Sequence, residues 1–181
     1  MKKVNEIFYS LQGEGYYTGT AAVFIRFCGC NLRCDFCDTS FEEGEWMSDE
    51  EIAKEIDRYP ARHIVLTGGE PGLSVTPDFI RLLKSLGKYI QIETNGTCAL
   101  PEGIDWITCS PKPGGRVVIT KPHELKVVYL EQDPEQYDFI EAQEYYLQPC
   151  SGQNTEAVIE YIKSHPKWKL SLQTHKYLNI R

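Results

Sequence analysis

"HIVLTGGEPGLSVTPDFIRLLKSLGKYIQIET", residues 63–94, decides the fold. It opens with a short buried-type apolar run, 63–67, that ends in two glycines. A helix pattern follows over 76–87, with Thr76 as N-cap, Pro77 in the first turn and Gly87 as the stop. A second strand-like run, 89–94, comes directly after it. Strand, helix and strand in this order make one crossover unit, whose two strands lie parallel in a sheet.

The same alternation extends outward on both sides. "AAVFIRF" (21–27) reads as a strand. "SDEEIAKEIDRY" (48–59) reads as a helix that starts in a capping box, Ser48 with Glu51, and presents Ile52 and Ile56 on one face. Further strands are expected at 105–110, 124–130, 145–150 and 170–174, and a helix at 155–165. We therefore expect an α/β fold with a mostly parallel sheet and crossover helices, formed by one domain over 1–181. A complete (β/α)8 barrel takes about 250 residues, so the 181 residues present predict a partial, open TIM-like barrel.

In such folds ligands bind at the carboxyl ends of the strands. Every unusual loop falls there: cysteines after 21–27, "GGEP" after 63–67, "TNG" after 89–94, "SPK" after 105–110 and "QPCSG" after 145–149. Neither a Walker A loop nor a Gly-x-Gly-x-x-Gly run occurs, which removes two common nucleotide-binding readings.

Bulk properties narrow the class of ligand. A net charge of −7, with no clustered basic face, argues against a nucleic-acid partner and leaves a small molecule as the expected one. No apolar run is long enough for a membrane span, and the first residues lack a signal-peptide core, so a cytoplasmic location is expected. Seven cysteines in a reducing compartment read as thiols or metal ligands, and an odd number leaves one without a disulfide partner. His63, His123 and His165 read as structural or solvated; His175, just past a strand end, reads as a site residue.

"CGCNLRCDFCDT" (28–39) places Cys30, Cys34 and Cys37 in a Cys-x3-Cys-x2-Cys spacing. One reading is structural zinc, with a fourth ligand from Cys28, Cys98, Cys109, Cys150 or a histidine. Zinc modules usually present two separated ligand pairs, however, and no second Cys-x2-Cys is present. The alternative is a [4Fe–4S] cluster with thiolates on three irons and the fourth iron open to a ligand.

That spacing, on the loop after the first strand of an α/β barrel, resembles the radical S-adenosylmethionine (SAM) superfamily. The resemblance implies that SAM chelates the open iron and is split to methionine and a 5′-deoxyadenosyl radical. Phe36 would lie near the adenine, and Gly69 and Glu70 of "GGEP" near the methionyl amino group. Three further stretches, "LQGEG" (11–15), "CDT" (37–39) and the tail "LQTHKYLNIR", are similar to the 7-carboxy-7-deazaguanine synthase family. That resemblance implies conversion of 6-carboxy-5,6,7,8-tetrahydropterin to 7-carboxy-7-deazaguanine with loss of ammonia, in queuosine biosynthesis.

It also implies roles for particular residues. Leu11, Gln12, Gly13, Glu14, Arg26, Thr67, His175 and Arg181 would bind substrate. Ser110, Pro111 and Lys112, with Gln148, Pro149, Cys150 and Ser151, would bind SAM. Thr39 would hold Mg2+. Arg181 departs from the small or proline residue expected at its place. A small flavodoxin or ferredoxin would supply electrons, and strand edges suggest a homodimer. A glycyl-radical-enzyme activase shares the cysteine spacing, but would have no use for Glu14, Thr39 or His175.

Overall fold

A computed structural model describes residues 1–37, 39 and 42–181. Its strands are β1 (Lys2–Leu11), β2 (Ala21–Phe27), β3 (Glu45–Met47), β4 (His63–Gly68), β5 (Tyr89–Thr94), β6 (Trp106–Cys109), β7 (Glu124–Tyr129), β8 (Glu144–Pro149) and β9 (Lys169–Leu170). Among the described residues they form one nine-stranded sheet, in the order β3-β1-β2-β4-β5-β6-β7-β8-β9. β1 runs antiparallel to both β2 and β3, and every pairing from β2 to β9 is parallel. The sheet does not close on itself. This is the expected mostly parallel α/β fold in the form of an open barrel.

The helices are α1 (Asp49–Ile56), α2 (Pro77–Ser85), α3 (Thr155–Ser164) and α4 (Thr174–Leu178). α1 begins in the expected capping box: Glu51 N donates to Ser48 Oγ at 3.1 Å, and Ser48 N to Glu51 Oε2 at 2.7 Å. At α2, Phe79 N donates to Thr76 Oγ1 at 3.4 Å. Gly87, with φ 68°, ends that helix in a left-handed conformation that a side chain would disfavour.

Helices do not occupy every crossover, as the alternation had suggested. β5 to β6 and β6 to β7 are joined without one. Those segments hold Gly96, Pro101 and Gly103 in the first, and Pro111, Pro113, Gly114, Gly115 and Pro122 in the second. Such residues block a continuous helical hydrogen-bond ladder. The β7–β8 link has only a 3-10 turn at Pro134–Tyr137. The run at 170–174 is strand only at Lys169–Leu170: Ser171 N still donates to Leu147 O at 3.0 Å, but Thr174 N turns to Gly13 O at 2.9 Å, and the side chains of Ser171 and Gln173 take inward partners. Ser171 Oγ donates to Gln148 Oε1 at 2.8 Å, and Gln173 Nε2 to Glu14 Oε1 at 3.0 Å.

Side chains alternate across a strand, and that alternation gives the sheet two unlike faces. Val23, Ile25, Phe27, Ile64, Leu66, Ile90 and Ile92 point outward and pack with Ile52 and Ile56 of α1 and Phe79, Ile80 and Leu83 of α2. Leu125, Val127 and Leu147 pack with Val158 of α3 and Trp168. On the inner face, Phe8, Ala22, Phe24 and Val65 form a small apolar patch, beyond which the inward side chains turn polar: Gln91, Glu93, Lys126 and Gln148.

The β1–β2 connection, 12–20, is a hairpin loop tied by Gln12 N to Thr20 O at 2.8 Å and Gly19 N to Gln12 O at 2.7 Å. It also plugs the amino end of the half-barrel. Tyr16 stacks on Trp106 at 4.7 Å, Tyr17 meets the His63 ring edge-on at 4.7 Å, and the Tyr17 and Tyr89 hydroxyls are 2.6 Å apart. Trp106, His63 and Tyr89 are the first residues of β6, β4 and β5. The other end of the loop, Gln12 to Glu14, faces the opposite, carboxyl side.

Candidate active site

A cleft of about 400 Å3 opens at the carboxyl ends of the strands, within the size range of small-molecule sites. Cys30, Cys34, Phe36, Cys37 and Thr39 line one wall, and Leu11, Gln12, Gly13, Glu14, Arg26 and Thr67 another. Ser110 and Lys112, then Gln148, Pro149, Cys150 and Ser151, complete the far side, with His175 and Arg181 at the margin. The structure thus brings together residues spread over the whole length of the chain. Glu70 and Pro111 are buried but do not line the cleft.

The two glycines after β4 have a steric cause. A Cβ on Gly69 would lie 2.0 Å from Gly29 O, and one on Gly68 would lie 2.2 Å from Phe27 O. The start of the cysteine loop therefore rests directly on this backbone, held by Gly69 N to Phe27 O at 3.1 Å and Glu70 N to Gly29 O at 2.9 Å. Glu70 turns its carboxylate away from the cleft. It accepts from Gly72 N at 2.8 Å, Thr94 Oγ1 at 2.7 Å and Asn95 N at 2.7 Å. That carboxylate clamps the β4 loop to the β5 loop, and Asn95 passes the link on to Asn31 of the cysteine loop at 3.1 Å.

Beneath the cleft the inner face is charged. Lys126 Nζ donates to Glu14 Oε2 and to Glu93 Oε2, each at 2.8 Å. Gln12 Nε2 and Gln91 Nε2 both donate to Glu93 Oε1, at 3.1 and 2.8 Å. Burial alone would raise the Glu14 pKa, but the Lys126 ammonium and the Gln173 amide outweigh it and hold it at about 2. Burial wins at Glu93 and pushes its pKa up, against the pull of the same Lys126. Glu124, two residues before Lys126 on the same face, takes Tyr16 N at 3.2 Å and Trp106 Nε1 at 3.1 Å on Oε2, while among the described residues its Oε1 has no hydrogen-bond partner. Its burial raises its pKa to about 7.

The loops are fitted closely around this network. A Cβ on Gly13 would meet His175 Nδ1 at 2.3 Å, so the loop and α4 pack backbone to ring. Thr174 N and Oγ1 donate to Gly13 O at 2.9 and 3.0 Å. Lys112 Nζ donates to Ser110 O at 2.6 Å and Ser110 Oγ at 2.7 Å. The other histidines serve the scaffold: His63 is 2.8 Å from Gln91 Oε1, His123 Nδ1 accepts from Ile107 N at 3.0 Å, and His165 stacks on Tyr161 at 4.0 Å.

Residues 24–111 match the family model described as "Radical SAM superfamily". A 7-carboxy-7-deazaguanine synthase of Bacteroides thetaiotaomicron is 57% identical over 181 residues, covering 100% of both chains. A synthase of the same name from Bradyrhizobium diazoefficiens is 43% identical, covering 98% of both. The crystal structure of QueE from Escherichia coli superposes with a TM-score of 0.81 at 32% identity, covering 94% of this chain and 93% of that one.

The chain belongs to the 7-carboxy-7-deazaguanine synthase family.

Membership gives the thiols a test. A radical SAM enzyme of this family implies an iron–sulfur cluster and SAM, and the donor set here fits one. Three thiols and no imidazole line the same wall, and soft thiolates are the ligands of iron–sulfur clusters. They are close enough that the charges of Cys37 and Cys30, after burial, raise the pKa of Cys34. Among the described residues, no three His, Cys, Asp or Glu side chains are gathered closely enough to hold a single metal ion.

Glu93 and Lys126, which also line the cleft, were not among the expected site residues, and Asn95 entered only as part of the "TNG" loop. A signal for them was present. In "YIQIET" and "ELKVVY" the polar residues Gln91, Glu93 and Lys126 occupy every second or single inward positions of strands otherwise built for a core.

Proposed function

We propose that this cleft converts 6-carboxy-5,6,7,8-tetrahydropterin to 7-carboxy-7-deazaguanine with loss of ammonia, the reaction of queuosine biosynthesis that gives the family its name. One observation carries the reading: three thiols, the glycine backbone after β4, and Arg26 share a single cleft in a chain 57% identical to a synthase over its full length. Cys30, Cys34 and Cys37 would each hold one iron of a [4Fe–4S] cluster, leaving the fourth for SAM. When bound, that pair supplies a 5′-deoxyadenosyl radical able to take a hydrogen atom from the substrate.

The chain's own residues bind, orient and shield. Arg26 offers a planar fork to the substrate carboxylate. Gln12 and Glu14, fixed by Glu93, Lys126 and Gln173, present an amide and a permanently ionised carboxylate to the pterin ring. Thr67, on the same inner face as Arg26, reaches the substrate from β4, and His175 closes the side where α4 packs on Gly13. Gly69 brings its backbone to the SAM side. Ser110 with Lys112 and the 148–151 loop line the rest of that half. Thr39 offers a hydroxyl oxygen to Mg2+, a hard donor for a hard cation. A flavodoxin or ferredoxin as electron donor, a cytoplasmic location and a homodimer complete the reading. Among the described residues no helix is long and apolar enough to cross a membrane. The edge strands β3 and β9 are three and two residues long, so edge pairing gives the homodimer little support.

Anaerobic purification and iron analysis test the first half: about four irons per chain are expected, and a colourless protein without iron ends the proposal. Incubation with SAM, a reductant and carboxytetrahydropterin tests the second, with the deazapurine as the expected product.

A further inference from the structure

Glu6 has no part in the roles above, yet the strand bends to aim it. Val4 pairs with Phe27, but Glu6 pairs with Arg26, so the β1–β2 register shifts by one between them. Asn5 is the extra residue, and its Nδ2 donates to Glu43 O at 2.7 Å. In an unbroken strand Glu6 would share the face of Val4, which is packed into the helix-covered core with Ile25 and Phe27. The bulge moves it to the face of Phe8 and Arg26, the cleft side.

On that face Glu6 holds two arginines. Arg26 Nε donates to Oε1 at 2.9 Å, and Arg181 Nη2 donates to Oε2. Both guanidinium carbons lie over the Phe8 ring, at 5.7 and 5.2 Å from its centre, and Phe8 stacks on Phe24 at 4.9 Å. Ser10 Oγ donates to Arg181 O at 2.6 Å, which fixes the second arginine at its backbone. Both arginines line the cleft. Arg26 meets Glu6 through Nε, and among the described residues its Nη groups make no hydrogen bond. Its end-on fork is therefore free for both oxygens of a carboxylate.

We propose that Glu6 is a positioning residue for carboxylate recognition: it sets Arg26 and Arg181 side by side over Phe8, so that a substrate carboxylate meets both. This rests on the reading that Arg26 takes the substrate carboxylate. It gives Arg181 a role through its guanidinium, at the place where the family resemblance suggested a small residue.

The test uses the cluster- and SAM-loaded enzyme and reads both kinetics and equilibrium binding. Glu6→Gln keeps the side-chain shape but loses the charge. It is expected to raise KM for carboxytetrahydropterin about tenfold, a difference of about 1.4 kcal/mol, with kcat within about twofold. The preference for 7-carboxy-7-deazaguanine over 7-deazaguanine, measured as a ratio of Kd values, should fall by about the same factor. Glu6→Asp should restore part of both. Arg181→Ala, a change at an exposed side chain, should raise KM about threefold, again with kcat kept. In an Arg26→Ala background, Glu6→Gln should add no more than the roughly threefold effect of losing Arg181, because Glu6 acts through the two arginines. An unchanged or lowered KM in Glu6→Gln, or an equal loss with and without Arg26, overturns the role of Glu6 while leaving the synthase reading intact. Should Arg26→Ala itself leave the Kd ratio unchanged, the carboxylate reading falls, and Glu6 with it.

Discussion

The two faces of one strand, β7, are equally buried and chemically opposite. Leu125 and Val127 point outward with 1% and 0% of their surface exposed, while Lys126 between them points inward with 4%. The same contrast holds along β5, where Ile90 and Ile92 pack under α2 while Gln91 and Glu93 meet beneath the cleft. Burial alone therefore does not separate scaffold from site; the partners do. The outer face is filled by apolar contact, which tolerates loss in proportion to volume. The inner face is filled by a charge network whose members depend on one another.

The largest expected effect lies on the inner face. Lys126→Met removes the ammonium shared by Glu14 and Glu93, and leaving buried carboxylates unpaired should cost about 3–5 kcal/mol in denaturant unfolding. Adding Glu14→Gln and Glu93→Gln should recover most of that stability without restoring synthase activity. If Lys126→Met were nearly neutral, the inner face would be ordinary solvated surface and the contrast would fail. On the outer face Leu66→Ala should cost about 2–5 kcal/mol by leaving a cavity, yet keep kcat per folded molecule.

A pH experiment sharpens the comparison within the inner face itself. Glu14, held near 2, contributes stability that is present above its unfolded value of 4.5 and is lost as pH falls toward about 2. Glu124 has the opposite sign. Its folded-state value, raised by burial from 4.5 to about 7, favours the folded form at low pH, and that advantage drains as pH rises through this window. Unfolding midpoints of the native chain should therefore fall relative to those of Glu124→Gln between pH 5 and pH 8. A constant difference would place the Glu124 proton elsewhere. The smallest effect belongs to neither face: Ser48→Ala, at the cap of α1, should cost about 1 kcal/mol and leave the cleft untouched.

Much of this was legible from local chemistry. Capping at Ser48 and Thr76, the stop at Gly87 and the apolar runs of β2, β4 and β5 are short-range signals, and each marks its element. The gathering of loops at the carboxyl ends followed from parallel pairing and put the cysteines, the glycine pair and residues 110–112 near one another. β1 was harder to read, because its bulge at Asn5 breaks the two-residue period that betrays a strand. The helix α4 and the inward turn of Ser171 were also hidden, since their partners, Gly13 and Gln148, lie far away in sequence. Glu70 illustrates the limit most directly. Its carboxylate is engaged by Gly72, Thr94 and Asn95, contacts that only the folded chain brings within reach.

The loop between β1 and β2 makes the floor of the half-barrel and the wall of the cleft out of one uninterrupted stretch of backbone. Tyr16 and Tyr17 seal below what Gln12 and Glu14 offer above. Its length is therefore a ruler: lengthening it by one residue would misplace either the seal or the ligand-facing groups. Drift in this segment is penalised from two directions at once.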